Sequence, residues 1–166
     1  MFVPFEELSP TARVWIYQLD RSVNEQEKSE IEKVIKGFCH QWQAHGAPLR
    51  TSFQLIHDHF LVLAVDEKAG IASGCSIDGS VRVLKELSER YNIDFFNRTL
   101  ATFLIDDEVV AYPLNQLKGL FSSGTLSSTA TTFNNLVESK AAFLENWMVP
   151  VGKSWLSKYL PKSTLA

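Results

Sequence analysis

The sequence predicts an α+β fold with a ferredoxin-like core, in which strands and helices follow in the order βαββαβ. Three observations support this order. A capped helical pattern lies between two strand-like runs, a tight polar turn joins two consecutive runs, and a second helical pattern precedes a further run of strand-forming residues. An extra strand and a helical extension follow. We predict a single domain over residues 1–166, with a core at 11–112 and a C-terminal extension at 113–166.

The first strand is predicted from Arg13 to Leu19. Apolar or aromatic side chains lie on both of its faces. A strand that is apolar on both sides is typical of the centre of a covered sheet. Asn24 and Glu27 have the spacing of a capping box, and apolar residues then recur at helical spacing. We therefore predict a helix from Glu25 to about His45, ended by Gly46.

A hairpin is predicted next. Residues 51–57 alternate between apolar and polar side chains as in an edge strand, whereas residues 60–65 are apolar throughout, as in a central strand. The turn His57-Asp58-His59 joins them. Because this turn gives the two histidines no shared strand face, we predict no metal site there.

The second helix is predicted after a small, glycine-containing loop, with Ser76 or Asp78 as its N-cap. Asn92 is the expected left-handed stop of this helix. Two strands, at Leu100 to Ile105 and Val109 to Tyr112, follow on either side of an acidic turn.

A ferredoxin-like sheet leaves one face bare, whereas the apolar strands predicted here require cover on both faces. Either the C-terminal extension or a second subunit must lie on the open face. We favour the extension because it supplies many large apolar side chains. These are Leu117, Leu120, Phe121, Phe133, Leu136, Phe143, Leu144, Trp147, Trp155, Leu156 and Tyr159.

The composition excludes several classes of function. The net charge is -3, from 16 Lys plus Arg against 19 Asp plus Glu, which argues against a general nucleic-acid binder. The first twenty residues have no signal-peptide pattern, and the longest apolar run is far too short for a membrane span. Cys39 and Cys75 fit no zinc or redox spacing and indicate a reducing compartment. We predict a cytoplasmic protein without a cofactor, a metal, or a nucleic-acid or membrane partner.

The candidate site is the segment 73–80, where a small loop leads into a helix N-terminus. Free N–H groups and the helix dipole favour a small anion there, and the same field would lower the pKa of Cys75 and make it a candidate nucleophile. The alternative is a tight turn in which small residues are needed for packing alone. The candidate binding residues are Gly74, Cys75, Ser76, Asp78, Gly79 and Arg50.

The predicted topology places further side chains at the same sheet edge as Cys75. His45 is the candidate base, and Arg13, Arg50 and Asp66 are further candidate partners. Cys39, in contrast, lies on the packed stripe of the first helix and is expected to be an inert core thiol.

The tripeptide Gly152-Lys153-Ser154 resembles the end of a nucleotide-binding loop of the Walker A type. The position at which a Walker A motif requires its first glycine is Trp147, so this motif is excluded.

Several segments carry a family resemblance: PTARVWIYQ, HFLVLAVDE, ASGCSIDGSV, and NNLVESK followed by VPVGKSW. Through them the chain resembles, over nearly its whole length, a family of small, uncharacterised cytoplasmic proteins from Bacteroidetes. Some members are labelled as ABC transporter ATPases, a label that the missing Walker A glycine does not support. The resemblance implies a bacterial cytoplasmic protein and supplies no activity, cofactor or catalytic residue.

The function that fits these observations is a non-enzymatic binding or protein-interaction module, because no acid–base pair and no nucleophile with a clear base is evident. A homodimer or another protein partner fits the many aromatic residues. The alternative is a small-anion-binding or thiol-dependent enzyme that uses segment 73–80.

Overall fold

The computed structural model describes residues 1–44, 46–67 and 74–162, with the backbone alone at 74–76. The helices are α1 (Glu25–Gln41), α2 (Gly74–Tyr91), α3 (Leu117–Ser122) and α4 (Lys140–Asn146). The strands are β1 (Arg13–Gln18), β2 (Gln43–Ala44), β3 (Ala47–Pro48), β4 (Arg50–Ile56), β5 (Phe60–Asp66), β6 (Leu100–Ile105), β7 (Glu108–Pro113), β8 (Thr131–Phe133) and β9 (Met148–Pro150). This mixture of helices and antiparallel sheets confirms the α+β class.

The first sheet has the strand order β1-β5-β4, and both of its strand pairs are antiparallel. Strand β5 is central and buried along its whole length, as its apolar sequence predicts. His57 and Asp58 have φ angles of 53° and 55°, and positive φ at both central residues is characteristic of a type I′ turn. The predicted hairpin between β4 and β5 is therefore confirmed.

Strand β6, predicted as the fourth strand of this sheet, lies in a second sheet of order β7-β6-β8-β9. The turn at Asp106 and Asp107, which both have positive φ, folds β7 back onto one edge of β6, and β8 occupies the other edge. With both edges occupied, β6 is not paired with β1. The ferredoxin-like topology is thus not confirmed, and β1, predicted to be central, is an edge strand of the first sheet.

The two faces of the first sheet are covered by different parts of the chain. Helices α1 and α2 pack on one face, around Ile31, Ile35 and Leu84. The N-terminal segment packs on the other face, together with side chains of the extension. These buried residues are Val3, Phe5, Leu8, Phe133, Phe143 and Trp147. Three residues expected in the cover, Leu136, Leu144 and Trp155, are 85%, 66% and 51% exposed.

The ends of the two long helices follow local signals. The capping box of α1 is present, with the Asn24 side chain accepting from the Glu27 amide at 2.8 Å. Helix α1 ends at Gln41, earlier than predicted, because Trp42 is extended and buried in the core, and Gly46, with φ of 79°, belongs to the turn between β2 and β3. Asn92 is left-handed, which confirms it as the stop of α2.

Candidate functional site

The helix predicted to have Ser76 or Asp78 as its N-cap begins at Gly74, so both residues lie within the helix. Asp78 and Gly79 therefore lie inside its first two turns and not in a loop before it. Asp78 is exposed, and a Cβ added at Gly79 would lie 4.0 Å from the Phe38 ring of α1. An added Cβ would thus make an ordinary van der Waals contact, and the approach of α1 to α2 at Gly79 does not require glycine.

The other residues of the predicted anion site fall outside what the structure describes. His45 and Ser73 are not described, and neither are the side chains of Cys75 and Ser76. Cys75 as nucleophile, His45 as base, and an anion bound around Gly74 accordingly remain predictions.

Arg50 is used to hold the N-terminal segment. Its Nη2 donates to the carbonyl oxygen of Glu7 at 3.1 Å and lies 4.0 Å from the Glu7 carboxylate. Its register partner across the sheet, Asp66, accepts a hydrogen bond from the backbone amide of Ser9 at 3.2 Å. The described contacts of these two candidate residues therefore attach residues 7–9 to the end of the first sheet.

A groove of about 610 Å³ opens beside β1, between the first sheet and the start of β6. We call it the β1 groove. It is lined by residues 13–18, 95–98, 100–102 and 132–138, and by Trp155. Its volume lies within the range of ligand-binding clefts, about 300–1,000 Å³.

Aromatic and apolar side chains form the walls and rim of the β1 groove. Trp15 and Tyr17 are half-buried in β1, and the Tyr17 ring meets the Phe96 ring edge-on at 5.7 Å between centroids. Burial raises the pKa of Tyr17, so its phenol remains protonated at neutral pH. Leu136 and Trp155 are exposed at the rim. These two side chains add exposed apolar surface to the rim of the groove.

A network of amide groups crosses one end of the β1 groove. The Gln18 amide nitrogen donates to the carbonyl oxygen of Leu100 at 2.9 Å, while its oxygen accepts from Thr102 Oγ1 at 2.8 Å and from Asn135 Nδ2 at 3.2 Å. The indole of Trp147 donates to Asn135 Oδ1 at 2.9 Å. These bonds fix the orientation of the Gln18 side chain. They also connect the end of β1 with β6, which belongs to the other sheet.

Strand β1 presents an open edge to the groove. The Val14 amide donates to the carbonyl oxygen of Glu138 at 3.0 Å, and the Lys140 amide donates to the carbonyl oxygen of Ala12 at 2.8 Å, which starts an antiparallel ladder. By strand alternation, the main-chain N–H and C=O of Ile16 point the same way as those of Val14. Within the described part of the chain, neither group of Ile16 has a hydrogen-bond partner.

Sequence reasoning missed this groove because its lining comes from four separate parts of the chain. One local signal was present, since Gln18 is a polar residue directly after the apolar run from Val14 to Tyr17. The groove itself depends on β6 belonging to the second sheet and not pairing with β1. No local sequence pattern indicates this.

Comparison with family models, with curated proteins and with solved structures finds no match for this chain. Among the described residues, no group of three or more His, Cys, Asp or Glu side chains is arranged to hold a metal ion. None of the helices in the described ranges has the length and apolar character needed to cross a bilayer.

Proposed function

We propose that this protein is a non-enzymatic binding module whose ligand occupies the β1 groove. The observation that carries the proposal is the combination of a 610 Å³ cleft, aromatic walls and an open strand edge in one place. A concave site with aromatic walls and a few oriented polar groups is a usual form of a ligand site.

The polar groups that converge on the groove are mainly amides and hydroxyls. Gln18, Asn134, Asn135 and Thr102 line it, and the first of these is fixed by three hydrogen bonds. Such groups donate and accept hydrogen bonds without exchanging charge at neutral pH. They are suited to orienting a ligand, which favours recognition over acid–base chemistry.

The experiment is a binding screen read by amide chemical shifts on the full chain, with a mixed library of small fragments and short peptides. We expect ligands with a dissociation constant below about 1 mM to shift the amides of Ile16, Gln18 and Asn97. Ligands that shift only amides outside the groove, or a library without any such ligand, would overturn the proposal.

Two leucines provide a matched pair of variants. Leu136 lies on the groove rim and Leu144 lies outside it, and both are strongly exposed, so neither substitution empties the core. Leu136→Asp should weaken binding of a groove ligand several-fold, while Leu144→Asp should leave it unchanged. Equal effects of the two substitutions would contradict the assignment of the site.

A further inference from the structure

We infer that the ligand of the β1 groove is an extended polypeptide segment of a partner protein, which adds as a strand to the open edge of β1. The inference rests on the proposed function, because it names the class of ligand for the same groove. In this inference the main-chain N–H and C=O of Ile16 form hydrogen bonds with the main chain of the added segment.

The chain itself begins a ladder along this edge of β1 and does not continue it to Ile16. Residues 138–140 pair with residues 12–14, antiparallel to β1, through two main-chain hydrogen bonds. Between Glu138 and Asn135, whose side chain donates to Gln18 Oε1 at 3.2 Å, no main-chain hydrogen bond among the described residues joins this segment to β1, and the side chain of Leu136 is exposed. The main chain of Ile16 is left facing the groove. An added strand would continue the ladder that Glu138 and Lys140 start.

Main-chain groups point outward from this edge of β1 at every second residue. The main-chain N–H and C=O of Ile16 lie on the same strand edge as the main-chain N–H of Gln18, two residues further on. An extended main chain supplies donors and acceptors with this repeat, and strand addition to an open edge is a common mode of peptide recognition. The same groups are a hazard for uncontrolled pairing when an edge remains free.

The walls of the groove indicate which side chains the added segment carries. In a strand beside β1, residues of one parity would lie next to Trp15 and Tyr17, and residues of the other parity next to Ile16. Both neighbourhoods are apolar and half-buried. The segment therefore carries apolar residues at alternate positions.

The charged lining residues add a further requirement. They are Arg13, Arg98 and Glu138. The Arg13 guanidinium lies over the Trp15 ring and 3.9 Å from the Glu67 carboxylate, whereas Arg98 is exposed and forms no ion pair with any described residue. An acidic residue at one end of the segment would pair with Arg98.

The test begins with a library of random peptides, about eight residues long, displayed on phage and selected on the full chain. A selected peptide that shifts the groove amides is then synthesised with an N-methyl group at each position in turn. We expect methylation to weaken binding about tenfold at alternate positions, where it removes a main-chain donor and adds bulk, and to leave the intervening positions nearly unchanged.

Two substitutions of the protein test the same contact from the other side. Ile16→Pro removes the outward N–H without removing a ladder bond to β5, and should weaken peptide binding about tenfold. Ile16→Ala also shortens the side chain but retains the N–H, and should bind within a few-fold of the original chain. Arg98→Glu should weaken an acidic peptide, whereas Arg90→Glu, on exposed α2 surface outside the groove, should not.

The outcomes separate this inference from the proposed function. Uniform tolerance of N-methylation, or groove binding by small fragments without any selected peptide, would overturn the strand-addition inference and leave the binding module standing. Peptides that shift only amides outside the groove would overturn both. The methylation scan uses the unaltered protein, so its result does not depend on whether Ile16→Pro folds.

Discussion

The ammonium group of Lys140 donates a hydrogen bond to the carbonyl oxygen of Leu8 at 2.8 Å, in the buried contact between α4 and the N-terminal segment. The same group also donates to the carbonyl oxygens of Phe5 and Glu6, at 2.9 and 3.1 Å, and lies 5.3 Å from the centre of the Phe5 ring. Three carbonyls at the end of a short turn thus share one cation. This arrangement holds residues 5–8 over the face of the first sheet that the helices do not cover.

Lys140→Met should lower the free energy of unfolding by about 2–3 kcal/mol, because it leaves buried carbonyl groups without their donor. Urea unfolding at neutral pH measures the change. Lys118→Met is the matched control, since Lys118 is exposed on α3, and its effect should stay within about 0.5 kcal/mol. Equal stabilities of the two variants would show that the Lys140 contacts contribute nothing.

His59 should make the protein less stable below about pH 6.5. Burial lowers the pKa of His59, although Asp20 and the Leu19 backbone favour the charged form. Its Nδ1 lies 3.3 Å from Ser22 Oγ, and its Nε2 is buried without a partner among the described residues. The unfolded chain therefore binds a proton more readily than the folded chain, and stability falls as the pH falls.

Urea unfolding at pH 7.5 and pH 5.5 measures this dependence, which for one proton cannot exceed about 1.4 kcal/mol per pH unit. His59→Gln should remove the His59 contribution to the slope. His57→Asn should retain it, because His57 lies on the exposed turn and asparagine tolerates its positive φ. If the free energy of unfolding of His59→Gln changed with pH as steeply as that of the original chain, the prediction would be wrong.

Glu27 should contribute stability that disappears in acid. Its hydrogen bonds with Arg21 and with the Asn24 backbone lower its pKa from 4.5 to about 2. Since the folded pKa lies below the unfolded one, the contribution is complete above about pH 4.5 and is lost as the pH falls towards 2.

Glu27→Gln should therefore be less stable than the original chain at pH 7, and the difference should shrink between pH 4.5 and pH 2. Glu25→Gln removes a carboxylate from the same helical turn without breaking a bond to Arg21, and should show a smaller change. A difference for Glu27→Gln that stays constant down to pH 2 would exclude the Arg21 pair as its cause.

The elements that could be predicted from the sequence are those fixed by neighbouring residues. The capping box at Asn24, the turn at Asp58 and the stop at Asn92 each need only a few adjacent side chains, and all three are present. The pairing of β6 is different. Its hairpin with β7 is local, but its other edge could pair either with β1 or with β8, and both of these strands lie far from β6 in the chain.

The candidate sites follow the same division. Segment 73–80 was singled out because its residues are adjacent in the chain, and the structure places Asp78 and Gly79 of this segment inside helix α2. The β1 groove was missed because Ile16, Phe96 and Asn135 lie far apart in the chain. They line one groove only in the folded structure. Exposure of Leu136 and Trp155 could not be foreseen either, since an apolar residue in an extension predicts burial.

The two cysteines should differ in their reaction with iodoacetamide. Cys39 is fully buried, and burial raises the pKa of its thiol to about 11, so the reactive thiolate is scarce at neutral pH. In a Cys75→Ser variant, alkylation should be slow in the native protein and fast in urea. Fast native alkylation would show that the region around Cys39 opens readily.

The reciprocal variant, Cys39→Ser, tests the sequence-based prediction for Cys75 by the rate of alkylation against pH. A fast reaction with an apparent pKa well below about 8.5 would support an electropositive helix N-terminus and the thiol-dependent alternative. A slow reaction at every pH, combined with unchanged peptide binding, would exclude Cys75 as a nucleophile. None of the described residues that line the β1 groove is a cysteine, and Cys39 is buried elsewhere in the core, so binding in the groove should not depend on the Cys39 thiol.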